Sequence, residues 1–460
     1  MIKLVEESTP TPSFVQQVRS RLGAAPLVER CGRVVQMIGL VVESRGPMSS
    51  IGDVCRIESN SGQGVLAEVV GFRNENLLLM PLGELSGIHP GSLVIATGAP
   101  LRVPVGAELK GRVIDGLGNP IDGGSPVSSM VLEEFNLAPP HPLKRDRITQ
   151  QFQTGIKAID TFVPCGRGQR LGIFSGSGVG KSTLLGMMAG HAEADVNVIA
   201  LIGERGREVR EFIERDLDDT GRAKSVVVVA TSNQPSLVRI KAAFLAMTIA
   251  EYFRAEGKNV LLMMDSVTRF AMAQREIGLA VGEPPTSRGY TPSVFALLPQ
   301  LLERAGNDEN GSITGLFTVL VEGDDMNDPI ADAVRSILDG HLVLTRELAA
   351  MNHYPALDIL DSVSRLSRDL LTDQQVDLTG RARESMAVYR RNQDLITIGA
   401  YAAGSNPAID QAIRLQGPLT GFLRQAIRES RSAAESWQLL TKVMQPPPPP
   451  PPADNKSRGR

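Results

Sequence analysis

The stretch Ser175-Gly176-Ser177-Gly178-Val179-Gly180-Lys181-Ser182-Thr183 decides how this chain is read. An apolar run, Leu171-Gly172-Ile173-Phe174, precedes it, and a run with helical character, Leu184-Leu185-Gly186-Met187-Met188-Ala189, follows. A strand, a glycine-rich turn and then Gly180-Lys181-Ser182 opening a helix is the arrangement that cradles a nucleoside triphosphate. Gly176, Gly178 and Gly180 let the backbone bend until several N–H groups face one anion, and the helix N-terminus adds the positive end of its dipole. Lys181 places an ammonium on the β- and γ-phosphates, and Ser182 offers its hydroxyl to Mg2+. The loop pattern G-x-x-x-x-G-K-[ST] wants glycine at its first position. Ser175 stands there, and a small side chain suffices.

Downstream, apolar strand-like runs alternate with helical patterns. The strands are Leu171–Ser175, Val198–Gly203, Val226–Thr231, Val260–Asp265 and Thr314–Val321; the helices are Arg207–Asp219, Ser236–Glu256 and Val267–Ile277. Such alternation implies an α/β domain on a mainly parallel sheet, with its chemistry at the carboxyl ends of the strands. One run, Val260 to Met264, ends in Asp265, the position of a carboxylate that organises Mg2+ through its water shell. Another ends in Ile202-Gly203-Glu204-Arg205-Gly206-Arg207-Glu208, where Glu204 can accept a hydrogen bond from an attacking water and polarise it.

Before the loop, residues 27–98 read as short strands punctuated by Gly32, Gly39, Gly46, Gly52, Gly62, Gly71, Gly83 and Gly91, the pattern of a small β-barrel. The barrel carries five arginines, no lysine, seven acids and a single aromatic, Phe72. That is a poor surface for nucleic acid, and a role in the crown of an oligomer suits it better. Residues 1–26 form a leader in which Phe14, Val15, Val18 and Leu22 recur at helical spacing; it packs on its own domain, serves a partner as a detachable helix, or is disordered. The nucleotide domain is expected over 99–362. A helical domain is expected over 363–444, with helical patterns at Gly380–Asn392, Pro407–Leu415 and Phe422–Met444. A tail over 445–460 includes seven prolines, Pro446 to Pro452, a stiff spacer of roughly 22 Å.

Composition excludes several classes. With Lys plus Arg at 48 and Asp plus Glu at 51, the net charge of −3 demands no polyanionic partner. The 4% aromatic content argues against a base-stacking surface. Cys31, Cys55 and Cys165 are odd in number and widely spaced, which fits free thiols in a reducing compartment, and the five histidines have no metal-ligand spacing. The first residues lack the apolar core of a secretory signal, and runs such as Ala242–Ala250 are too short to span a bilayer.

Four segments resemble the hexameric rotary ATPase superfamily: QTGIKAIDTFVPCGRGQR (153–170), the loop itself, GERGREV (203–209) and PALDILDSVSR (355–365). Within it, IGLVVESRGPMSSIGDVC (38–55), FTVLVEGDDMNDPI (317–330) and LITIGAYAAGSNPAIDQAI (395–413) look like the ATPases of type III protein export. The resemblance runs from about residue 30 to 440. It implies ATP and Mg2+ as ligands, with Lys181, Ser182, Glu204 and Asp265 in the roles already argued. It further implies Arg205 and Arg269 as active-site arginines, Tyr354 as the aromatic stacked on adenine, and Arg365 as an arginine finger entering the neighbouring subunit's site. The implied assembly is a homohexamer at the cytoplasmic face of the inner membrane. Its implied partners are a stator-like regulatory subunit at the leader, a central stalk, the membrane export gate and chaperone–substrate complexes. Segment 38–55 favours the flagellar apparatus over a virulence injectisome. A rotary ATP synthase subunit is disfavoured because the helical domain has no acidic DELSEED-type run, and a ring-shaped RNA translocase is disfavoured by the barrel's charge. Removing the loop lysine is the direct check: Lys181→Ala is expected to abolish ATP hydrolysis measured as phosphate release, and turnover at the unmutated rate would remove the phosphate-loop assignment.

Overall fold

The computed structural model describes residues 29–445, apart from 61, 63, 127–130, 136–138, 322 and 324. The expected leader helix within 1–26 and the proline run lie outside the described residues. The chain divides into two compact units, residues 1–101 and 102–460.

The first unit is a closed six-stranded barrel. Its strands are β1 (Cys31–Ile38), β2 (Val41–Arg45), β3 (Asp53–Ile57), β4 (Val65–Arg73), β5 (Asn76–Pro81) and β6 (Leu93–Pro100), paired in the order β1-β2-β5-β4-β3-β6. Every pairing is antiparallel, so alternate residues face inward. Val34, Val42, Cys55, Ile57, Ala67, Val69, Leu77, Leu79 and Val94 fill the interior. Closure leaves no unpaired edge, which a six-stranded sheet of this size could not otherwise hide.

The second unit is built on a sheet that runs β14-β13-β8-β12-β11-β9-β10-β7. Its strands are β7 (Val113–Asp115), β8 (Arg170–Ser175), β9 (Val196–Ile202), β10 (Ser225–Ala230), β11 (Asn259–Asp265), β12 (Ser312–Leu320), β13 (Gly340–Leu344) and β14 (Leu357–Ser364). All neighbours along that path are parallel except β13 with β14. Residues 198–202, 226–228 and 260–264 are almost wholly buried, as strands covered on both faces must be. The expected α/β core, barrel and helical C-terminal region are therefore all present. Strands β13 and β14, the second of which holds most of the PALDILDSVSR segment, were not anticipated as strands.

Two expected helices are corrected. Arg207–Asp219 is not one helix: it is α3 (Gly206–Glu211), then a π turn over Phe212–Asp216, then a short helix, Asp219–Ala223. The extra residue in the turn accompanies burial of Phe212 and Leu217 against α2 (Lys181–His191). The Asp218 carboxylate then accepts from the Gly221 N–H and starts the last piece.

Phe422–Met444 is also broken. Helix α9 (Pro407–Leu423) ends, residues 424–432 cross the domain, and α10 begins at Ala433 and ends at Met444. The crossing is dictated by Gln425, whose buried amide accepts from the Lys157 N–H at 2.9 Å and donates to the Gly155 and Glu429 carbonyls at 2.8 Å each. Lys157 opens a short helix, Lys157–Phe162, so its N–H is one that the helix itself cannot satisfy. Ser432 and Glu435 then form a reciprocal capping box. Leu415, Leu419, Phe422 and Leu440 join the same hydrophobic core as β8 and α2.

Removing the Gln425 amide strands a buried donor and a buried acceptor, each costing about 1–3 kcal/mol. Gln425→Ala is expected to lower unfolding stability by about 2–4 kcal/mol, read from the denaturant midpoint; an unchanged midpoint would contradict the tie.

Candidate nucleotide site

The loop between β8 and α2 has the form its sequence requires. Gly178 and Gly180 adopt left-handed backbone angles, φ +80° and +88°, which L side chains rarely adopt. Val179 is 1% exposed and pins the loop to the core, while Ser177 and Gly178 face solvent. Gly176 is buried behind them, and Ser182 and Thr183 lie half-buried on the first turn of α2. Ser175 ends β8; its hydroxyl is buried with no hydrogen-bond partner. A small side chain is accommodated where the loop pattern prefers glycine.

Three charged groups converge beside this loop. The Lys181 Nζ donates to Asp265 Oδ1 at 2.5 Å and lies 3.9 Å from Glu204 Oε1. Strand register brings them there: Ser175 pairs with Leu320 across β8 and β12, and Met264 with Phe317 across β11 and β12. Asp265 is 4% exposed, and the fully buried Thr318 donates its hydroxyl to Asp265 Oδ1 at 2.7 Å. Thr318 is the site residue that sequence reading missed. A threonine inside an apolar strand carries no motif, and only the register sets it opposite the carboxylate.

The electrostatics follow from burial and proximity. Burial, and then the Asp265 charge, push the Glu204 carboxyl up to about 7, against the opposing pull of Lys181. Burial works against the Lys181 ammonium, but Asp265 and Glu204 outweigh it and hold the amine above its ordinary value. Among the described residues no group of three or more His, Cys, Asp or Glu is placed to hold a metal. Asp265 and the Ser182 hydroxyl are the oxygens here that could hold Mg2+, a cation commonly bound by one or two carboxylates, water and substrate phosphates.

The remaining expected residues are distributed unequally. Arg269, on α5 (Val267–Val281), lies against Gly203; a Cβ there would come within 2.8 Å of the Arg269 Cβ, so the glycine admits the arginine beside the Glu204 strand end. Arg269 Nε is buried without a hydrogen-bond partner. Tyr354 lays its ring over the loop: a methyl group on Gly180 would stand 3.4 Å from it. Its carbonyl accepts from the Gln425 N–H at 3.0 Å, so the crossing segment sets its place. Arg205 points outward, 80% exposed, and pairs with Glu208 at 3.8 Å.

Arg365 is not in this cluster. Leu344 pairs with Leu357 at the loop end of the sheet and Gly340 with Ser364 at the other. Between those pairs β13 advances four residues while β14 bulges, so Arg365, one residue past Ser364, sits roughly 13–17 Å down the sheet from Leu357. There its Nη2 donates to the Arg335 carbonyl at 3.3 Å, beside a cavity of about 310 Å3 that Asp332 and His341 also line.

Comparison with known proteins agrees with this geometry. Residues 155–364 match the ATP synthase alpha/beta family nucleotide-binding domain, 34–98 the beta-barrel domain of that family, and 371–442 the T3SS EscN ATPase C-terminal domain. The chain is 55% identical over 417 residues to the flagellum-specific ATP synthase of Bacillus subtilis (strain 168), covering 90% of this chain and 95% of the relative. It is 48% identical over 434 residues to the type 3 secretion system ATPase of Xanthomonas euvesicatoria, covering 94% and 98%. Among solved structures, the assembled ATPase EscN of the enteropathogenic E. coli type III secretion system superposes with a TM-score of 0.86 at 46% identity, covering 90% of this chain and 99% of that one. The same ATPase in complex with its central stalk EscO gives 0.83 at 45% identity, with the same coverage.

Glu204 supplies a test by pH. With its carboxyl at about 7 in the unliganded site, the group is protonated below that pH and ionised above, so its base form is lost as pH falls through about 7. The kcat/KM for ATP hydrolysis, which reports the free enzyme, is expected to fall on the acid side with a midpoint near 7. Glu204→Gln should lower turnover by about 10²-fold or more and abolish that acid limb. An acid limb that persists unchanged in the variant would remove Glu204 from the role.

Proposed function

The chain belongs to the family of flagellum-specific ATP synthases and type 3 secretion system ATPases, and from that premise we propose that it is the ATP-hydrolysing motor of the flagellar export apparatus. Type III export ATPase is the activity this family membership carries. The flagellar assignment is supported by the 38–55 segment and by the identity to the Bacillus relative. The observation that carries the ATPase reading is the convergence of Lys181, Asp265 and Glu204 beside a left-handed glycine loop at the carboxyl edge of the sheet.

In this reading Lys181 exchanges Asp265 for the β- and γ-phosphates, and the loop N–H groups of residues 176–183 take the remaining phosphate oxygens. Asp265 and the Ser182 hydroxyl would hold Mg2+, which would supply positive charge against that developing on the phosphates. Glu204 accepts a hydrogen bond from the attacking water and orients it in line. Arg269, whose stem packs on Gly203 next to Glu204, swings its guanidinium to that carboxylate when nucleotide binds, and Arg205 extends to the water side. The Tyr354 ring, already against the loop, stacks on adenine.

Arg365 completes the site of the next subunit. A chain whose finger lies at the far end of its own sheet cannot use it at its own loop, so the working unit is a ring, here a homohexamer. The assembled form of the relative EscN supports that unit, and its complex with EscO supports a central stalk. The leader over 1–26 docks a stator-like regulatory subunit, and the ring delivers chaperone–substrate complexes to an export gate in the inner membrane. No described helix is long and apolar enough to cross a membrane, so attachment runs through those partners. Nucleic acid has no part in this reading.

A finger of this kind is worth about 10³–10⁵ in rate, or roughly 4–7 kcal/mol of barrier. Arg365→Ala and Lys181→Ala chains are each expected to be inactive alone and to regain ATPase activity when mixed, because hybrid interfaces pair an intact loop with an intact finger. Mixed rings that form without regaining turnover would overturn the trans-acting finger.

A further inference from the structure

Gly166-Arg167-Gly168-Gln169-Arg170 closes the 153–170 segment, yet nothing so far gives Gln169 or Arg170 a task. Both stand at the root of β8, at the end of the strand opposite the phosphate loop. Arg170 is gripped by two carboxylates: its N–H and Nε donate to Asp339 Oδ2 at 3.1 and 3.0 Å and its Nη2 to Asp339 Oδ1 at 3.0 Å, while its Nη1 pairs with Glu303 Oε2 at 2.5 Å. The Asp339 N–H returns a bond to the Arg170 carbonyl at 2.9 Å. A two-pronged guanidinium–carboxylate fork with two backbone bonds fixes orientation as well as distance.

The same aspartate holds Arg365. The Arg365 N–H donates to the Asp339 carbonyl at 3.0 Å. Gln169, fully buried, donates its amide to that carbonyl and to the Ser364 hydroxyl, both at 3.1 Å, and accepts from the Gly166 N–H at 2.7 Å. Residues 169–170, 339 and 364–365 thus form one hydrogen-bonded node.

We propose that Asp339 and Arg170 are positioning residues for Arg365: they fasten the finger that a chain lends to its neighbour onto the root of the strand carrying that chain's own loop. This rests on the reading of Arg365 as a trans-acting finger. The two ends of the node do not depend on it equally. Strand β8 is central, laddered to β12 on one side and β13 on the other. Strand β14 is laddered to β13 alone, and Arg365 lies one residue beyond its end. Loosening the node therefore displaces the finger far more than the loop. A catalytic group misplaced by about 1 Å can lose about 10²-fold in rate.

The test places one substitution on either side of a hybrid interface. Lys181→Ala chains act as finger donors and Arg365→Ala chains as loop-bearing recipients, and the ATPase activity regained on mixing is read. Asp339→Asn added to the donor is expected to lower the regained activity about tenfold or more. The same substitution added to the recipient should change it by less than about twofold, with rings forming in both mixtures by light scattering. Equal losses from the two placements, a larger loss from the recipient, or no loss from either would overturn the proposal. Should Asp339→Asn chains not assemble, Arg170→Lys, which keeps the charge and loses the fork, is read in the same two placements. A failure of the unmodified donor and recipient to regain activity would instead strike at the finger reading itself.

Discussion

One strand stands between the lysine and the aspartate that meet at the site. Lys181 follows β8, Asp265 ends β11, and β12 runs between them, so two inter-strand steps of about 4.8 Å separate their backbones. The lysine arm closes that gap only because Asp265 points to the face on which α2 begins. Side chains alternate with period two, so a one-residue slip of β11 against β12 would turn Asp265 to the other face and leave the ammonium buried without it. The parallel ladders on both sides of β12, and the bond from Thr318 to Asp265, hold that register.

That arrangement makes the site electrostatically demanding. One ammonium faces two carboxylates, and burial disfavours charge on Lys181 and on Glu204. The conflict settles on Glu204, the more distant partner of Lys181, which keeps its proton to about 7. Breaking a buried ion pair by removing one member costs about 3–5 kcal/mol. A ligand that takes the lysine must therefore bring something for the aspartate at the same time. A phosphate chain carrying a divalent cation does both in one event. The pairing of Lys181 with Asp265 thus favours nucleotide and cation arriving together.

The parts of the fold that were legible in the sequence share a physical origin. Doubly covered strands such as Val196–Ile202 and Asn259–Asp265 must be continuously apolar, and a glycine-rich turn ahead of Lys181 has few uses other than binding an anion. Barrel strands announce themselves by alternation and by the glycines between them. What was not legible depends on partners distant in sequence. Thr318 acquires its role from a strand 53 residues earlier. The break after Leu423 follows from Gln425 reaching back 268 residues to Lys157, although Ser432 and Glu435 already spelled a helix start. The π turn over Phe212–Asp216 answers to packing against α2, which local propensity does not encode. Strand β14 was hidden for another reason. Its buried positions include Asp358, Ser362 and Ser364 while Val363 is exposed, so no apolar pattern marks it.

The sheet also separates two halves of one chemical task. Its carboxyl edge carries the loop, Glu204 and the Tyr354 ring that lies over Gly180. Its amino edge carries Arg365, turned away from all of them by the length of β14. An arginine extends only about 7 Å from its Cα, less than the roughly 13–17 Å of sheet between Arg365 and the loop end, so side-chain motion alone does not close the gap. On the reading of Arg365 as a finger, the monomer is therefore an incomplete catalyst, and assembly controls the rate through geometry without any further device. The node at Asp339 adds a consequence. On the same reading, the strand that leads to the phosphate loop in one subunit begins at the residue pair that holds the finger lent to the next, so successive sites around a ring would share a mechanical part. A rigid β8 transmits a displacement at its loop end to its root with little loss, because its ladders on both sides resist bending. Order in the firing of neighbouring sites then has a structural basis within each chain, in addition to whatever a central stalk imposes from outside.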